Sequence, residues 1–450
     1  MLPPQLRTLL DSAIQGDARA YQTYKTEKMS PVANQDTLSA CRINFTANRE
    51  FMLYILTQTS LARCPTELLQ DLIDIARTIT LSDQQKLQLV TLLRTSLNAS
   101  NASAQQNKLG LSEALLCWHL FIEPKTLTDD EIADMLKLED DIDESGIVAF
   151  IRGIILMQKN TTVSDASAAQ NLRLAAAAKH VLAMESLAIM HVQRRIQLPG
   201  ASSNLQPHYT RAAELLESAQ YKQVNWHALS RLAAIYQRHM LNVTPPNTHN
   251  SEAEKLLRRG VAAGGVHLLL DLACMYLDRA ASEGPSDRKQ DAEAASILQL
   301  GADCEDVHCI VNLAQLHLLG RVRDDKDQAH HNAIAYQLLT KAAANGDIDS
   351  LYRLGLMHRD DLVQDVHDKV YHDTKAADFF KQAVQLGRHK KAAYALVSMH
   401  ETNRIHDNKT PVERMVEFNL LFLGMGFTLP NVNQSSTTST NAVPGPGRRG

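Results

Sequence analysis

The chain has 450 residues, 44% of them apolar and 21% charged, with 46 Lys and Arg against 50 Asp and Glu. That globular balance argues against wholesale disorder, and a formal charge of −4 gives no global attraction to nucleic acid or to anionic lipid. Six scattered cysteines with no CxxC exclude a disulfide scaffold, a zinc ribbon and a thioredoxin motif, and suit a reducing cytosol.

Taken from the N-terminus, Met1-Leu2-Pro3-Pro4-Gln5-Leu6-Arg7 lacks a basic stretch followed by an apolar one, so no secretory signal is expected. No run approaches 18 uninterrupted apolar residues, so no transmembrane helix is expected either. Helices without a clean period are predicted near 2–15, 47–62, 65–79, 82–98, 108–122 and 128–140, with breaks at Ser30-Pro31, 98–107 and Glu123-Pro124. Residues 1–145 thus read as a helical N-terminal segment, either eroded repeats or a cap.

From there a period sets in. Ala335-x-x-Leu338-Leu339-x-x-Ala342 returns as Ala168-x-x-Asn171-Leu172, Ala212-x-x-Leu215-Leu216, Ala253-x-x-Leu256-Leu257, Ala294-x-x-Ile297-Leu298, Ala376-x-x-Phe379-Phe380 and Glu417-x-x-Leu420-Leu421. The starts step by 44 and then by 41 five times. Between them runs a second motif, Leu-small-x-aliphatic-Tyr/His: Leu187-Ala188-Ile189-Met190-His191, Leu232 to Tyr236, Leu272 to Tyr276, Leu313 to His317, Leu354 to His358 and Leu396 to His400. Both motifs have i, i+3/i+4 apolar spacing, which predicts two helices per unit, each with one buried face. Fixed small residues (Ala233, Gly260, Gly301, Gly355) let neighbouring helices approach closely. The unit is helix A (the Leu-small motif), a variable loop with turn signals such as Pro199-Gly200, Pro245-Pro246, Gly284-Pro285 or Gly320, helix B, then a tight turn often carrying Gly. No unit buries its apolar face alone, so the units must stack into a solenoid. Residues 427–450, rich in Ser, Thr, Gly and Pro, cannot bury enough apolar surface and are expected to form a disordered tail.

Leu354-Gly355-x-x-His358, and Tyr336 with Lys341-Ala342-Ala343-x-x-Gly346, resemble Sel1-like repeats, relatives of tetratricopeptide repeats with a longer inter-helix loop. A period of 41 is too long for the 34-residue tetratricopeptide unit. The resemblance covers 146–426, with six helix pairs from 181 onward plus a leading half-repeat. It departs from the pattern where His replaces Tyr (191, 317, 358, 400) and where Gly is missing (Gln223, Glu305). It implies an all-α fold: a helical N-terminal segment followed by a right-handed α-solenoid of Sel1-like helix-turn-helix repeats.

Several residue clusters invite chemistry. Asp141-x-Asp143-x-Ser145-Gly146 opens like an EF-hand loop, but its twelfth position is Arg152 rather than a bidentate Glu, so an acidic surface segment is expected over 129–144. Ten of the 18 histidines lie between 308 and 406. His191, His317, His358 and His400 fill the aromatic slot of the repeat and are expected to pack between helices. Cys304-x3-His308-Cys309 lacks a fourth ligand, so no metal is expected. Arg388-His389-Lys390-Lys391 has no aromatic interleaving and reads as a solvated turn, so no nucleic-acid partner is expected. No Walker, dinucleotide or nucleophile-elbow motif occurs, and His400-Glu401-Thr402-Asn403-Arg404 misses the last zincin ligand, so neither catalytic residues nor a cofactor are expected.

On helix A, the residue before the motif Leu and the one seven further on share a face. These are Arg231/Arg238, Asp271/Asp278, Asn312/Leu319 and Arg353/Asp360. This polar row, expected to be exposed on helices that line the groove of such solenoids, is the candidate partner-contacting surface. The expected function is a non-enzymatic, monomeric adaptor that holds a protein or peptide in that groove. The resemblance implies adaptors in signalling, membrane-protein quality control or bacterial–host interaction, either cytoplasmic or delivered to a host cell without a classical signal. The alternative is an enzyme or ligand-binding activity in residues 1–145 that the solenoid targets.

Overall fold

The computed structural model describes residues 2–29, 36–77, 79, 81–99, 105–122, 127–136, 146–197, 205–219, 225–242, 248–283, 289–322, 324, 326–407 and 409–423. Among them are 21 α-helices and no strand. The first seven are α1 (Pro4–Ile14), α2 (Ala18–Met29), α3 (Thr37–Ile55), α4 (Thr66–Ala76), α5 (Asp83–Ala99), α6 (Gln105–Phe121) and α7 (Asp129–Leu136). Then come α8 (Ile147–Gln158), α9 (Thr162–Ala177), α10 (Val181–Val192), α11 (Gln206–Ser218), α12 (Trp226–Gln237), α13 (Thr248–Ala262), α14 (Leu268–Glu283) and α15 (Lys289–Asp303). The last six are α16 (Val307–Leu318), α17 (Gln328–Ala344), α18 (Ile348–Arg359), α19 (Lys369–Gly387), α20 (Lys390–Glu401) and α21 (Pro411–Leu423). The all-α repeat architecture expected from the 41-residue period is therefore present, as A/B pairs from α10/α11 to α20/α21. The EF-hand-like segment before Gly146, the loops at 199–200, 245–246 and 284–285 and the tail lie outside the described residues.

The chain divides into two compact units, Met1–Cys309 and Ile310–Gly450. In the first, one apolar core runs without a break from Leu2 to Ile235, across the expected boundary at 145/146. The leading half-repeat is completed by α8, which packs on α9. Gly153 lies there against Leu172, a β-carbon at that position falling 2.8 Å from the Leu172 Cγ. The N-terminal helices then fold back onto the repeats, with α3 seated on α13 and α15 and α6 on α8. Helix α3 begins at Thr37, ten residues before its expected start, because the Asp36 carboxylate accepts from the amides of Leu38 and Ser39. Helix α2 lacks an aliphatic stripe and escapes a periodicity search; it buries Ala20, Tyr21 and Tyr24 instead.

In the second unit the repeats are regular, and their apolar faces meet in clusters around Leu339, Leu354 and Met357 and around Phe380, Leu396 and Phe418. Side-chain caps start these helices: Asp327 accepts from the His330 amide, Asp347 from Ser350, Asp368 from Tyr371, and His389 Nδ1 from Ala392. Helix A ends on a left-handed residue at Gly320, Asp361 and Asn403, and helix B at Gly346 and Arg388. The first unit uses Lys179, Gly264 and Glu305 after helix B in the same way, so the turn demands the conformation whether or not Gly supplies it.

Candidate interaction surface

The row on helix A does not behave uniformly. In the first unit Arg231, Arg238 and Asp278 are exposed, as expected. Arg231 is an anchor: its Nε stands 2.9 Å from Oε1 of Glu185, which is almost fully buried. A second guanidinium reaches the same carboxylate, for Arg77, at the C-terminus of α4, lies 3.6 Å from Glu185 and stacks on Phe121 with its centre 4.4 Å from the ring. Asp271 is half-buried and accepts from the Ser230 hydroxyl at 3.0 Å, and burial raises its carboxyl above the usual range. Beside the row, the rings of His227 and His267 stack 4.6 Å apart, and burial holds His267 down to about 4. The chain's own N-terminal segment thus reaches the carboxylate that Arg231 of the row holds.

In the second unit Asn312 is half-buried, and Arg353 bridges two neighbours, with Asp349 at 2.8 Å and Gln315 at 3.2 Å. His389, from the next repeat, stands 3.3 Å from the other oxygen of Asp349. The Arg353 guanidinium, the first cause after burial, holds the Asp349 carboxyl below its ordinary range. Asp360 is exposed and pairs with Arg359 at 2.7 Å. Leu319 and Tyr394 are large side chains left 59% and 61% exposed. The structure therefore joins Arg231 to Glu185, Asp271 to Ser230 and Arg353 to Gln315, and leaves Arg238, Asp278 and Asp360 unlinked along the row. Sequence reading passes over Glu185, Ser230 and Tyr394, which share one repeat position two places before the motif Leu. Arg77 carries no repeat signal at all.

Three of the four histidines of the aromatic slot are buried and paired with a second histidine, and His400 is half-buried. His191 Nδ1 faces His208 Nδ1 at 3.4 Å, His317 faces His331 at 3.0 Å, and His358 faces His372 at 2.9 Å. His400 packs edge-on against Phe418. Cys304 and Cys309 are buried thiols, with burial pushing Cys304 up to about 12. No group of three or more His, Cys, Asp or Glu side chains among the described residues is arranged to hold a metal ion. Arg388 and His389 form the turn between α19 and α20. No helix among the described residues is long and apolar enough to cross a membrane.

No protein-family model matches the chain, and no curated protein does. Solved structures do match. A Sel1 repeat protein from Oxalobacter formigenes is 16% identical over 65% of this chain and 78% of its own, with a TM-score of 0.45. The chain is similar to Sel1-like and tetratricopeptide-related repeat proteins. Yeast Tom70 aligns over 92% of this chain and 99% of its own at 11% identity and a TM-score of 0.33. The immunity protein Pa5087 from Pseudomonas aeruginosa aligns over 57% and 88% at 15% identity and a TM-score of 0.27.

Proposed function

We propose that the chain is a non-enzymatic scaffold that holds a partner protein or peptide on the helix A row of its repeats. The observation that carries this reading is the surface of α16, α18 and α20 beyond Ile310, where exposed Leu319 and Tyr394 accompany Arg353 and Asp360. Aromatic and Arg side chains at repeat spacing are what protein interfaces enrich, and they combine apolar area with a directed polar group. Arg77 on Glu185 supplies a local precedent for a basic side chain seating beside this row, on the carboxylate that Arg231 also holds. The residues to test are Arg353, Asp360 and Tyr394, with Arg238 and Asp278 in the first unit. Arg231 and Asp271 make poorer probes, because truncating either disturbs a buried or half-buried neighbour. Capture from lysate with the wild type and with an Arg353→Ala/Tyr394→Ala variant, followed by titration of the purified captured protein, is the test. At least a tenfold loss of affinity with an unchanged helical spectrum is expected. Equal affinity of wild type and variant would move the binding surface off this row.

A further inference from the structure

A cavity of about 310 Å³ lies inside the first unit, where α2, α3 and α4 meet the start of α12 and the end of α13. Tyr24, Phe51, Ile75 and Trp226 supply apolar wall, which at this volume is the usual make-up of a small-ligand site. Its polar side chains do not balance. Asp71 is satisfied twice, by Lys25 at 2.9 Å and by the Tyr21 hydroxyl at 2.6 Å. Asp74 has Arg77 at 3.7 Å, and burial pushes its carboxyl up to about 7, which reduces its charge. Lys28 is different. Its ammonium donates to Asn48 Oδ1, a neutral acceptor, and sits 6.0 Å from the Tyr24 ring centre and 5.8 Å from that of Phe51. Among the described residues no carboxylate forms an ion pair with it, although an ammonium has three donors to place. One turn earlier on the same helix face, the Tyr24 hydroxyl is buried and has no hydrogen-bond partner among the described residues. A buried polar atom without a partner is rare in a folded protein and points to a group that is missing.

We propose that this cavity binds a small organic carboxylate, which accepts from the Lys28 ammonium and the Tyr24 hydroxyl and rests its apolar body on Phe51, Ile75 and Trp226. Lys28 and Tyr24 lie one turn apart on the same face of α2 and both can donate, so the group that meets them is an acceptor carrying negative charge. Asn44 Oδ1 on α3 and His227 Nε2 on α12, buried lining atoms also without a hydrogen-bond partner among the described residues, remain for a donor elsewhere on the ligand. Asp71 also lines the cavity and acts through space on both Lys28 and Tyr24, but its charge is offset by Lys25 and its oxygen is taken by the Tyr21 hydroxyl. Asn44, a buried lining residue, is fixed by its Nδ2 donating to the Ala262 carbonyl at 2.8 Å, which ties the cavity to the repeats. The site uses none of the residues of the proposed interaction row, so the two readings fail separately.

Benzoate serves as the probe, with benzylammonium and benzyl alcohol as charge controls. The readouts are the thermal midpoint of the full chain and quenching of Trp fluorescence, Trp226 being one of two tryptophans. Benzoate should raise the midpoint of the wild type in a saturable way, because a ligand that binds only the native state stabilises it by mass action. The two controls should not. Lys28→Met should weaken benzoate at least tenfold yet melt close to wild type without ligand, since it removes from an apolar wall an ammonium that has no ion pair among the described residues and one bond to a neutral acceptor, Asn48 Oδ1. Tyr24→Phe deletes a single oxygen and should weaken benzoate several-fold, which keeps the test decisive if Lys28→Met fails to fold. No response to benzoate, equal response to benzylammonium, or undiminished benzoate binding by Tyr24→Phe and Lys28→Met would each overturn the proposal.

Discussion

At the scale of single residues, two glycine-type positions show how the repeat is specified. Gly355 lies in helix A, where a β-carbon would stand 2.5 Å from Cε1 of Phe380, a ring that is fully buried. Alanine there improves helix propensity by about 1 kcal/mol but forces a rigid ring aside, which costs about 1–3 kcal/mol in a packed core. Gly355→Ala is therefore expected to lower stability in a urea melt. Arg388 is the opposite case. It holds φ near +51° in the turn where the preceding repeat has Gly346, and its side chain is exposed. Arg388→Gly relieves the left-handed strain of an L-residue and should raise stability by about 0.5–1 kcal/mol in the same melt. A stabilised Gly355→Ala or a destabilised Arg388→Gly would contradict this division between packing and turn positions. The packing slot is legible from the sequence because small residues recur there. The turn slot is only half legible, because Lys179, Glu305 and Arg388 occupy it at a strain that no residue preference announces.

At the scale of the element, each histidine pair fastens the C-terminal end of one helix A to the first turns of the following helix B. Two Nδ1 atoms at hydrogen-bond distance accommodate one proton between them, so the pair is built for neutral rings. Burial, followed by the partner ring, lowers His191 and His358 to about 4, and the same causes lower His317. Around His358 stand His372, the Tyr336 hydroxyl at 3.4 Å, the rings of Tyr371 and Phe379, and the charges of Asp365 and Lys375. Asp365 works the other way and raises it. A group whose folded pKa lies below its unfolded value of about 6.5 is protonated more readily when unfolded, so stability falls as pH drops from about 6.5 towards 4. The expected loss between pH 7 and pH 5 is on the order of 1–2 kcal/mol for His358. His358→Tyr restores the residue that this chain itself uses at Tyr236 and Tyr276, and its thermal midpoint should fall less than that of wild type over that interval. Parallel midpoints for the two proteins would show that the pair does not titrate in this range. The slot histidines are legible as structural in the sequence. Their partners, 14 or 17 residues on, are not, because loop length varies and only the fold brings them opposite.

At the scale of the whole molecule, the helix pairs are legible because a 41-residue period multiplies a weak local signal, whereas the N-terminal helices have no period to multiply it. Nothing in residues 1–145 announces that Arg77 meets Glu185, that Glu113 stands 3.0 Å from His180, or that Asn44 bonds the Ala262 carbonyl. Those contacts make the N-terminal segment part of the first unit rather than a module appended to a solenoid. The exposed pairs Arg42–Asp303 and Arg49–Glu305 add little on their own, as surface ion pairs do. The buried contacts weigh more: deletion of 1–145 strips Glu185 and His180 of partners they hold at almost no exposure, and uncovers apolar faces of the core that runs from Leu2 to Ile235. Breaking a single buried charge pair costs about 3–5 kcal/mol, and the surviving Arg231 offsets only part of that for Glu185. A native domain is stable by only about 5–15 kcal/mol, so losses of this size accumulate to unfolding. A fragment of residues 146–423 is therefore expected to melt far below the full chain or to aggregate. A fragment of residues 1–318, which keeps the first unit and all of α16, should retain a cooperative transition. Circular dichroism melts and limited proteolysis of the two fragments distinguish the cases, and a cooperative, protease-resistant 146–423 would show that the repeats fold without the helices that precede them.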